Sequence, residues 1–243
     1  MEIRRLFRAK NFFLGIVIAS CGLFFGASYP DGEALKKLLE AGHFLEMEAK
    51  AFSSRPFLLL LPIAAVLPWS DSFLLEKQGG FLKSALPRTG RRYYVESKVF
   101  TTSLGGFLAV LFAGIFVCFA FFTVFFPREA QGKIAADSFV SLLFLILRSS
   151  LLGGILASFG GICGALGNSV YLALGLPFVS YYFCVILRDR YFKKALWLYP
   201  PQWVEGSAKW GENGLGLWLF LLLFLGFLMV VHGGILYEKL EDL

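Results

Sequence analysis

The stretch "SDSFLLEKQGGFLKSALPRTGRRYYVESKVF", residues 70–100, decides how this chain is read. Its middle, 76–98, is among the most charged segments of its size in the sequence, and it stands between apolar runs. Residues 56–70 carry no Asp, Glu, Lys or Arg, and neither do 99–127. The same is true of 11–30, 149–187 and 213–237. A helix needs about 20 largely apolar residues to cross a bilayer. The run 149–187 is long enough for two crossings, and "GALGN" at 164–168 supplies the turn between them. The run 56–70 is too short alone, so its span is expected to extend past Asp71 towards Leu75, kinked at Pro62 and Pro68. The expected fold is an all-α membrane protein, one transmembrane domain over 1–243. Its six spans lie at about 11–30, 56–75, 99–127, 142–165, 168–187 and 214–237.

Composition points the same way. Of 243 residues, 57% are hydrophobic and 16% charged, against about 25% charged in a soluble domain. The net charge of +6 gathers at the ends of apolar runs, where Lys and Arg anchor spans and set topology. A nucleic-acid partner is therefore not expected. Cys21, Cys118, Cys163 and Cys184 all lie within apolar runs without metal-ligand spacing and read as small buried hydrophobes. The start "MEIRRLFRAK" precedes an apolar run longer than that of a secretory signal, so it is read as leading into the first span. It places Ile3, Leu6 and Phe7 on one face of a short helix at the membrane surface.

Orientation follows from Lys and Arg. With a cytoplasmic N-terminus, the first two inner segments hold ten of them and the first two outer segments six. Over the whole chain the tally is eleven against eleven, and the N-terminal signals are given precedence because the first helix usually dominates. The expected location is the cell membrane, multi-pass, with both termini cytoplasmic. Two outer segments carry patterns of their own. "PDGEALKKLLEAGHFLEMEAKAF" sets Leu35, Leu38, Leu39, Gly42 and Leu45 at helical spacing, an amphipathic surface helix. "YFKKALWLYPPQWVEGSAKW" interleaves Trp197, Tyr199, Trp203 and Trp210 with lysines, as at a water–lipid boundary.

Enzyme chemistry has no foothold in the sequence. There is no G-x-x-x-x-G-K-[ST], H-E-x-x-H or G-x-S-x-G, and His43 and His232 lie far apart. No catalytic residue and no metal ligand is expected. Arg148 is the one basic residue well inside an apolar stretch. Either its stem carries the charge out to the head groups, or it faces a cavity and meets an anionic group of a substrate.

Within the opening stretch, Leu74, Leu75, Phe81, Leu82, Ala85 and Leu86 give one apolar helical face. Gly79 and Gly80 permit a bend, Pro87 is expected to stop the helix, and Thr89-Gly90 to turn the chain. A new helix then starts at Arg91 and runs through Lys98 into the third span. A plain basic loop meeting anionic lipid needs no such order. A short rigid element that docks on a cytoplasmic partner accounts for more of it.

The order F-x-x-E-x-x-x-G…L-P-R-x-x-R-R-x-Y-x-x-x-K resembles the cytoplasmic connection between spans two and three of ABC type 2 exporter permeases. Phe73, Glu76, Gly80, Leu86, Pro87, Arg88, Arg91, Tyr94 and Lys98 carry the match. The six-span plan, the basic amphipathic start and "NSVYLALGLPF" at 168–178 extend it over nearly the whole chain. The resemblance implies that this connection is a coupling helix resting on a separate ATPase subunit, with Arg92 beside the matched arginines. It also implies that ATP and Mg are held by that partner, with no cofactor on this chain. Two permease subunits, identical or related, would enclose the path, and the outer loop after span five would hold short re-entrant or interfacial helices. Span one of one subunit would face span five of the other. Small residues let helix backbones approach closely in lipid. The stripes Gly15, Ala19, Gly22, Gly26 and Ser169, Ala173, Ser180, Cys184 serve packing within one subunit or between two, and the resemblance assigns them to the subunit interface or path. The stripe Gly153, Ala157, Gly161, Ala165 is assigned to packing inside the subunit. Two other readings stand beside the permease: an autonomous secondary transporter or channel, and a membrane scaffold or sensor without a path. Co-purification with an ATPase whose hydrolysis is coupled to transport separates them.

Overall fold

The computed structural model describes residues 2–30, 39–130, 136–206, 210 and 214–241, apart from the side chain of Leu196. Among them the chain is all-helical, with a single β-bridge joining Leu39 to Glu129. The helices are α1 (Glu2–Leu6), α2 (Lys10–Gly26), α3 (His43–Phe52), α4 (Arg55–Val66), α5 (Ser72–Gln78), α6 (Phe81–Thr89), α7 (Arg91–Phe125), α8 (Ala136–Gly167), α9 (Val170–Arg190), α10 (Pro200–Glu205) and α11 (Leu215–Glu241). Four of them, α7, α8, α9 and α11, are long and apolar enough to cross a membrane. This is consistent with a multi-pass membrane protein. α2 is apolar but has only 17 residues, about 26 Å at 1.5 Å per residue.

The second expected span is not one continuous helix. α4 runs through Pro62 but ends at Val66, and a series of turns leads to α5. Pro68 has no N–H to continue the ladder, which loosens the chain there. At its other end α4 is joined to α3 with a bend of 65°. Ser54 caps α4 by accepting a hydrogen bond from Phe57 N–H, and Pro56 sits in the first turn.

The expected outer amphipathic helix is not helical at residues 39–42. Residues 31–38 fall outside the described residues. Leu39 is in the β-bridge, and the helix starts only at His43, after Gly42 in the left-handed conformation at φ 87°. Glu129 fixes that start: its carboxylate accepts from the N–H groups of Gly42 and Phe44, both at 2.8 Å. Two otherwise unpaired donors at a helix N-terminus thus meet an anion. α3 then buries Phe44, Leu45, Met47, Glu48, Ala51 and Phe52 against α7 and α8, rather than lying on the outer surface.

The turn between spans four and five falls within the expected "GALGN". α8 closes at Gly167, Asn168 takes a positive φ of 48°, and α9 begins at Val170.

Small residues set the helix crossings. A Cβ on Gly106 of α7 would lie 2.5 Å from Gly153 O and Ala157 Cβ of α8, and 2.8 Å from Ala65 O of α4. Beside this crossing the Ser103 and Ser158 hydroxyls share a buried hydrogen bond of 2.5 Å. Gly161 of α8 sits against the His232 ring of α11. The stripe on α2 requires a correction to its expected role between subunits. A Cβ on Gly15 would lie 2.7 Å from Ala64 O and one on Gly22 3.1 Å from Phe57 Cα, while Gly26 abuts Ser54. Gly15, Ala19 and Gly22 therefore pack inside the chain, letting α2 lie close along α4. The same holds on α9: Ala173 is wholly buried beneath Gly160 and Gly164 of α8. Ser180 and Cys184 are half-buried and line, with Tyr181 and Trp203, a partly open apolar cavity of about 150 Å³. Ser169 is the half-buried N-cap position of α9. The faces of α2 and α9 left outside are the large apolar ones, among them Phe13, Val17 and Phe25, and Tyr171, Val179 and Phe183.

α10 is short but deeply set, with Pro200, Pro201, Trp203 and Val204 buried. Trp203 packs edge-on against Phe220 and Phe224 of α11.

Candidate functional site

α1, α5, α6 and the start of α7 meet at one end of the bundle, the end that also holds the last turns of α11. Phe73, Leu74, Leu82, Tyr94, Val95, Leu236 and Leu240 share one apolar cluster there. On this floor rests a four-membered charge network. Glu2 and Arg5 pair along α1 at 2.6 Å. Arg5 reaches Glu76 of α5 at 2.6 Å. Lys98 of α7 pairs with both Glu2 and Glu76 at 2.9 Å. The Tyr94 hydroxyl donates to the second oxygen of Glu76 at 2.5 Å. Two carboxylates thus balance two cations.

Arg5 is half exposed, but the inner pair is dry. Lys98 is 0% exposed and Glu76 6%, so each charge depends on its partners rather than on water. Trp69 lies under both cations, 5.4 Å from Lys98 Nζ and 5.9 Å from Arg5 Cζ. Phe81 of α6 takes the other side of Arg5 at 5.3 Å. Such contacts add cation–π attraction to the ion pairs. Burial would raise the carboxyl of Glu2, but Lys98 and Arg5 outweigh it and hold the group below its ordinary range. Burial alone would lower the guanidinium of Arg5, yet its bonds to Glu76 and Glu2 leave it raised. From the same end, Lys77 donates to the side chain of Asn168 at 3.0 Å, tying α5 to the α8–α9 turn.

The arrangement is a clamp. No group of three or more possible metal ligands occurs among the described residues. What the network does is hold α1, α5 and α7 in fixed register.

The sequence-derived coupling residues divide into two sets. Phe73 is buried in the apolar floor, and Glu76 is buried in the network. Of holding a partner or orienting the segment, Glu76 is placed for the second. Gly80 separates α5 from α6 with φ 70°, so the expected single amphipathic helix is two helices at a left-handed joint. Leu75 and Phe81 of its apolar face are left about half exposed. Pro87 does not stop α6. It sits inside the helix, which ends at Thr89 before Gly90 at φ 76°. A proline so near the end gives up only one backbone bond of a last turn. Leu86 packs part-buried on the floor. Arg88, Arg91 and Arg92 are exposed, and Arg92 pairs with the exposed Glu96 at 2.8 Å.

Arg148 lies elsewhere, on α8. Its Nε donates to its own helix at Phe144 O, 3.3 Å away, and its guanidinium rests against Gly206 after α10. With Ser141, Trp210 and Trp218 it borders an open cavity of about 580 Å³. It makes no ion pair among the described residues.

Sequence reading missed Glu2 and Arg5 as members of the network. The available signal was the E-x-x-R spacing in α1, which places both on one face. It also missed Glu48 and Glu129, two carboxylates that the fold buries. No family model matches this chain, and no curated protein matches it.

Proposed function

We propose that the chain is the membrane-spanning permease subunit of an ABC exporter, forming a substrate path and coupling it to a separate ATPase subunit. The observation that carries this reading is the two-sided build of residues 72–92. Glu76, Tyr94 and Lys98, all matched in the resemblance, lock the segment to the bundle. Phe81, Arg88, Arg91, Arg92 and Tyr93 remain on its exposed side. A partner that pushed on the exposed side would move α7, α1 and the α8–α9 turn together.

In this reading six spans are α2, α4 with its following turns, α7, α8, α9 and α11. The clamp end is cytoplasmic at the cell membrane, with both chain termini on that side, and α3 and α10 are re-entrant pieces of the outer half. ATP and Mg belong to the partner chain. A second permease subunit completes the path, and Arg148 faces an anionic group of the substrate from the outer half.

Two measurements test it. Cysteines introduced at Ser84 and at Arg128, in a background lacking the native four, are expected to label oppositely in sealed cells: Arg128→Cys from outside with an impermeant thiol reagent, Ser84→Cys only after permeabilisation. Equal labelling overturns the topology. Arg88→Ala/Arg91→Ala/Arg92→Ala is expected to reduce co-purification of an ATPase subunit and transport-coupled hydrolysis several-fold while the chain still inserts, since surface charges steer and orient a partner. Unchanged association removes the coupling role.

A further inference from the structure

Away from the clamp, the bundle buries one more acidic side chain without a partner. Glu48, midway along α3, is 0% exposed. Neither of its carboxyl oxygens has a hydrogen-bond partner among the described residues. α3 packs against α2, α4, α7 and α8. The charged or titratable groups on those elements are Lys10 and Cys21 (α2), Arg55 (α4), Arg91, Arg92, Tyr93, Tyr94, Glu96, Lys98 and Cys118 (α7), and Asp137, Arg148 and Cys163 (α8). Only the Cys118 thiol stands beside Glu48. No cation among the described residues pairs with it; on its own helix, Lys50 pairs with Glu46 at 3.6 Å on the exposed side. Cys118 also lines an apolar groove of about 450 Å³, walled by Phe44, Phe119, Phe122, Phe139 and Ile146.

A carboxylate buried without a cation, and with at most a weak thiol donor beside it, is costly, and a buried acid avoids the cost by keeping its proton. The seat of α3 is otherwise made of apolar contacts and the Glu129 cap. At its other end α3 joins α4 through Ser53 and Ser54 with the 65° bend, a place where the helix can pivot. We propose that Glu48 is a proton-binding site in which α3 is seated against α7 and α8 only with the carboxyl protonated. When α3 swings out about residues 53–54, the O–H bond breaks, the electron pair stays on the carboxylate, and the proton passes to water. Seating is then proton-linked. The proton is bound more tightly in the seated state, so seating is complete at low pH and weakens as pH rises. The inference does not rest on the exporter reading.

The test uses the full chain in native membranes. An apolar carbodiimide, dicyclohexylcarbodiimide, adds to protonated carboxyls that water-soluble reagents do not reach. Peptide mass spectrometry is expected to find its adduct on Glu48 at neutral pH, with the adduct lost at alkaline pH and absent with a charged, water-soluble carbodiimide. Seating is read separately from Met47→Cys, a buried position on the same helix, by labelling with a water-soluble maleimide. Labelling at 47, taken at each pH relative to a cysteine at the exposed Lys50 so that the thiol's own ionisation cancels, is expected to rise with pH, by up to about tenfold per pH unit for one linked proton. Adding Glu48→Gln, which mimics the neutral acid, is expected to remove that rise. Absence of a Glu48 adduct, or an equal pH response with Glu48→Gln, overturns the proposal. If Glu48→Gln fails to insert, the carbodiimide result on the unaltered chain decides alone: an alkali-sensitive adduct from the apolar reagent only supports the site, and any other pattern overturns it.

Discussion

Glu76→Gln is expected to destabilise the folded chain by about 3 kcal/mol, the lower end of the roughly 3–5 kcal/mol lost when one partner of a buried ion pair is removed. The reason is Lys98, which is 0% exposed and would be left with Glu2 as its one carboxylate. Glu76→Arg should do more harm, because Arg5, Lys98 and the new cation would then share Glu2. Arg92→Ala breaks an exposed pair of the same helix and should cause no measurable loss. Thermal unfolding of the detergent-solubilised chain, followed by loss of monodisperse protein, ranks the three. The double variant Glu76→Gln/Lys98→Met separates lost attraction from stranded charge. A buried pair replaced by well-packed apolar groups often costs nothing, so the double variant should recover most of the stability of the single one. If Glu76→Gln and Arg92→Ala behave alike, the clamp does not hold this end of the bundle.

The clamp also has a pH signature. Burial would raise the carboxyl of Glu2, but Lys98 and Arg5 leave it below its ordinary value of 4.5. Its contribution is therefore whole above pH 4.5 and fades as the pH falls through the lower folded value. A spin label at the half-exposed Ile3 should gain mobility in acid and not in alkali. That sign is opposite to the one expected for α3, where a proton is held and alkali releases it. The two ends of the molecule can thus be distinguished in one titration.

What the sequence made legible was governed by composition over long windows. α7, α8, α9 and α11 coincide with charge-free runs, because lipid tolerates neither charge nor unpaired backbone. The α8–α9 break at Asn168 was legible because glycine and asparagine accept a tight reversal. Short-range signals failed where a distant partner intervened. α3 starts at His43 rather than eight residues earlier, and the carboxylate that caps it comes from Glu129. Pro87 reads as a terminator, yet α6 carries it within its last turn. The stripe on α2 reads equally well as a contact between subunits or within one, because small residues only permit close approach and do not name the neighbour. Here the neighbour is α4. Glu76 was singled out, but its partner Arg5 lies 71 positions away, beyond any periodicity, as does Glu2, which shares Arg5 and Lys98 with it.

The crossing of α4, α7 and α8 is where a single methyl group should do most damage. At Gly106 a Cβ would meet Gly153 O at 2.5 Å and Ala65 O at 2.8 Å. Both are backbone atoms of packed helices, so neither can turn aside as a side-chain end would. Separating the helices to admit the methyl would also stretch the nearby buried Ser103–Ser158 hydrogen bond; its loss leaves the Ser158 hydroxyl without that partner, while Ser103 keeps its bond to Val99 O. Gly106→Ala is expected to cost about 1–3 kcal/mol or more, as overpacking of a dense core does. Gly106→Leu should prevent folding of the inserted chain. Gly175 of α9 provides the contrast, since a Cβ there would meet nothing within 4 Å. It lies among Tyr171, Val179 and Phe183, on the face that α9 turns away from its own bundle. Gly175→Leu should leave the stability of the isolated chain unchanged. If a second subunit covers that face, the same substitution should lower cross-linking of a pair through Val179→Cys while each chain stays folded. Equal thermal stability of Gly106→Ala and the unaltered chain would mean that α7 and α8 do not approach so closely in the membrane.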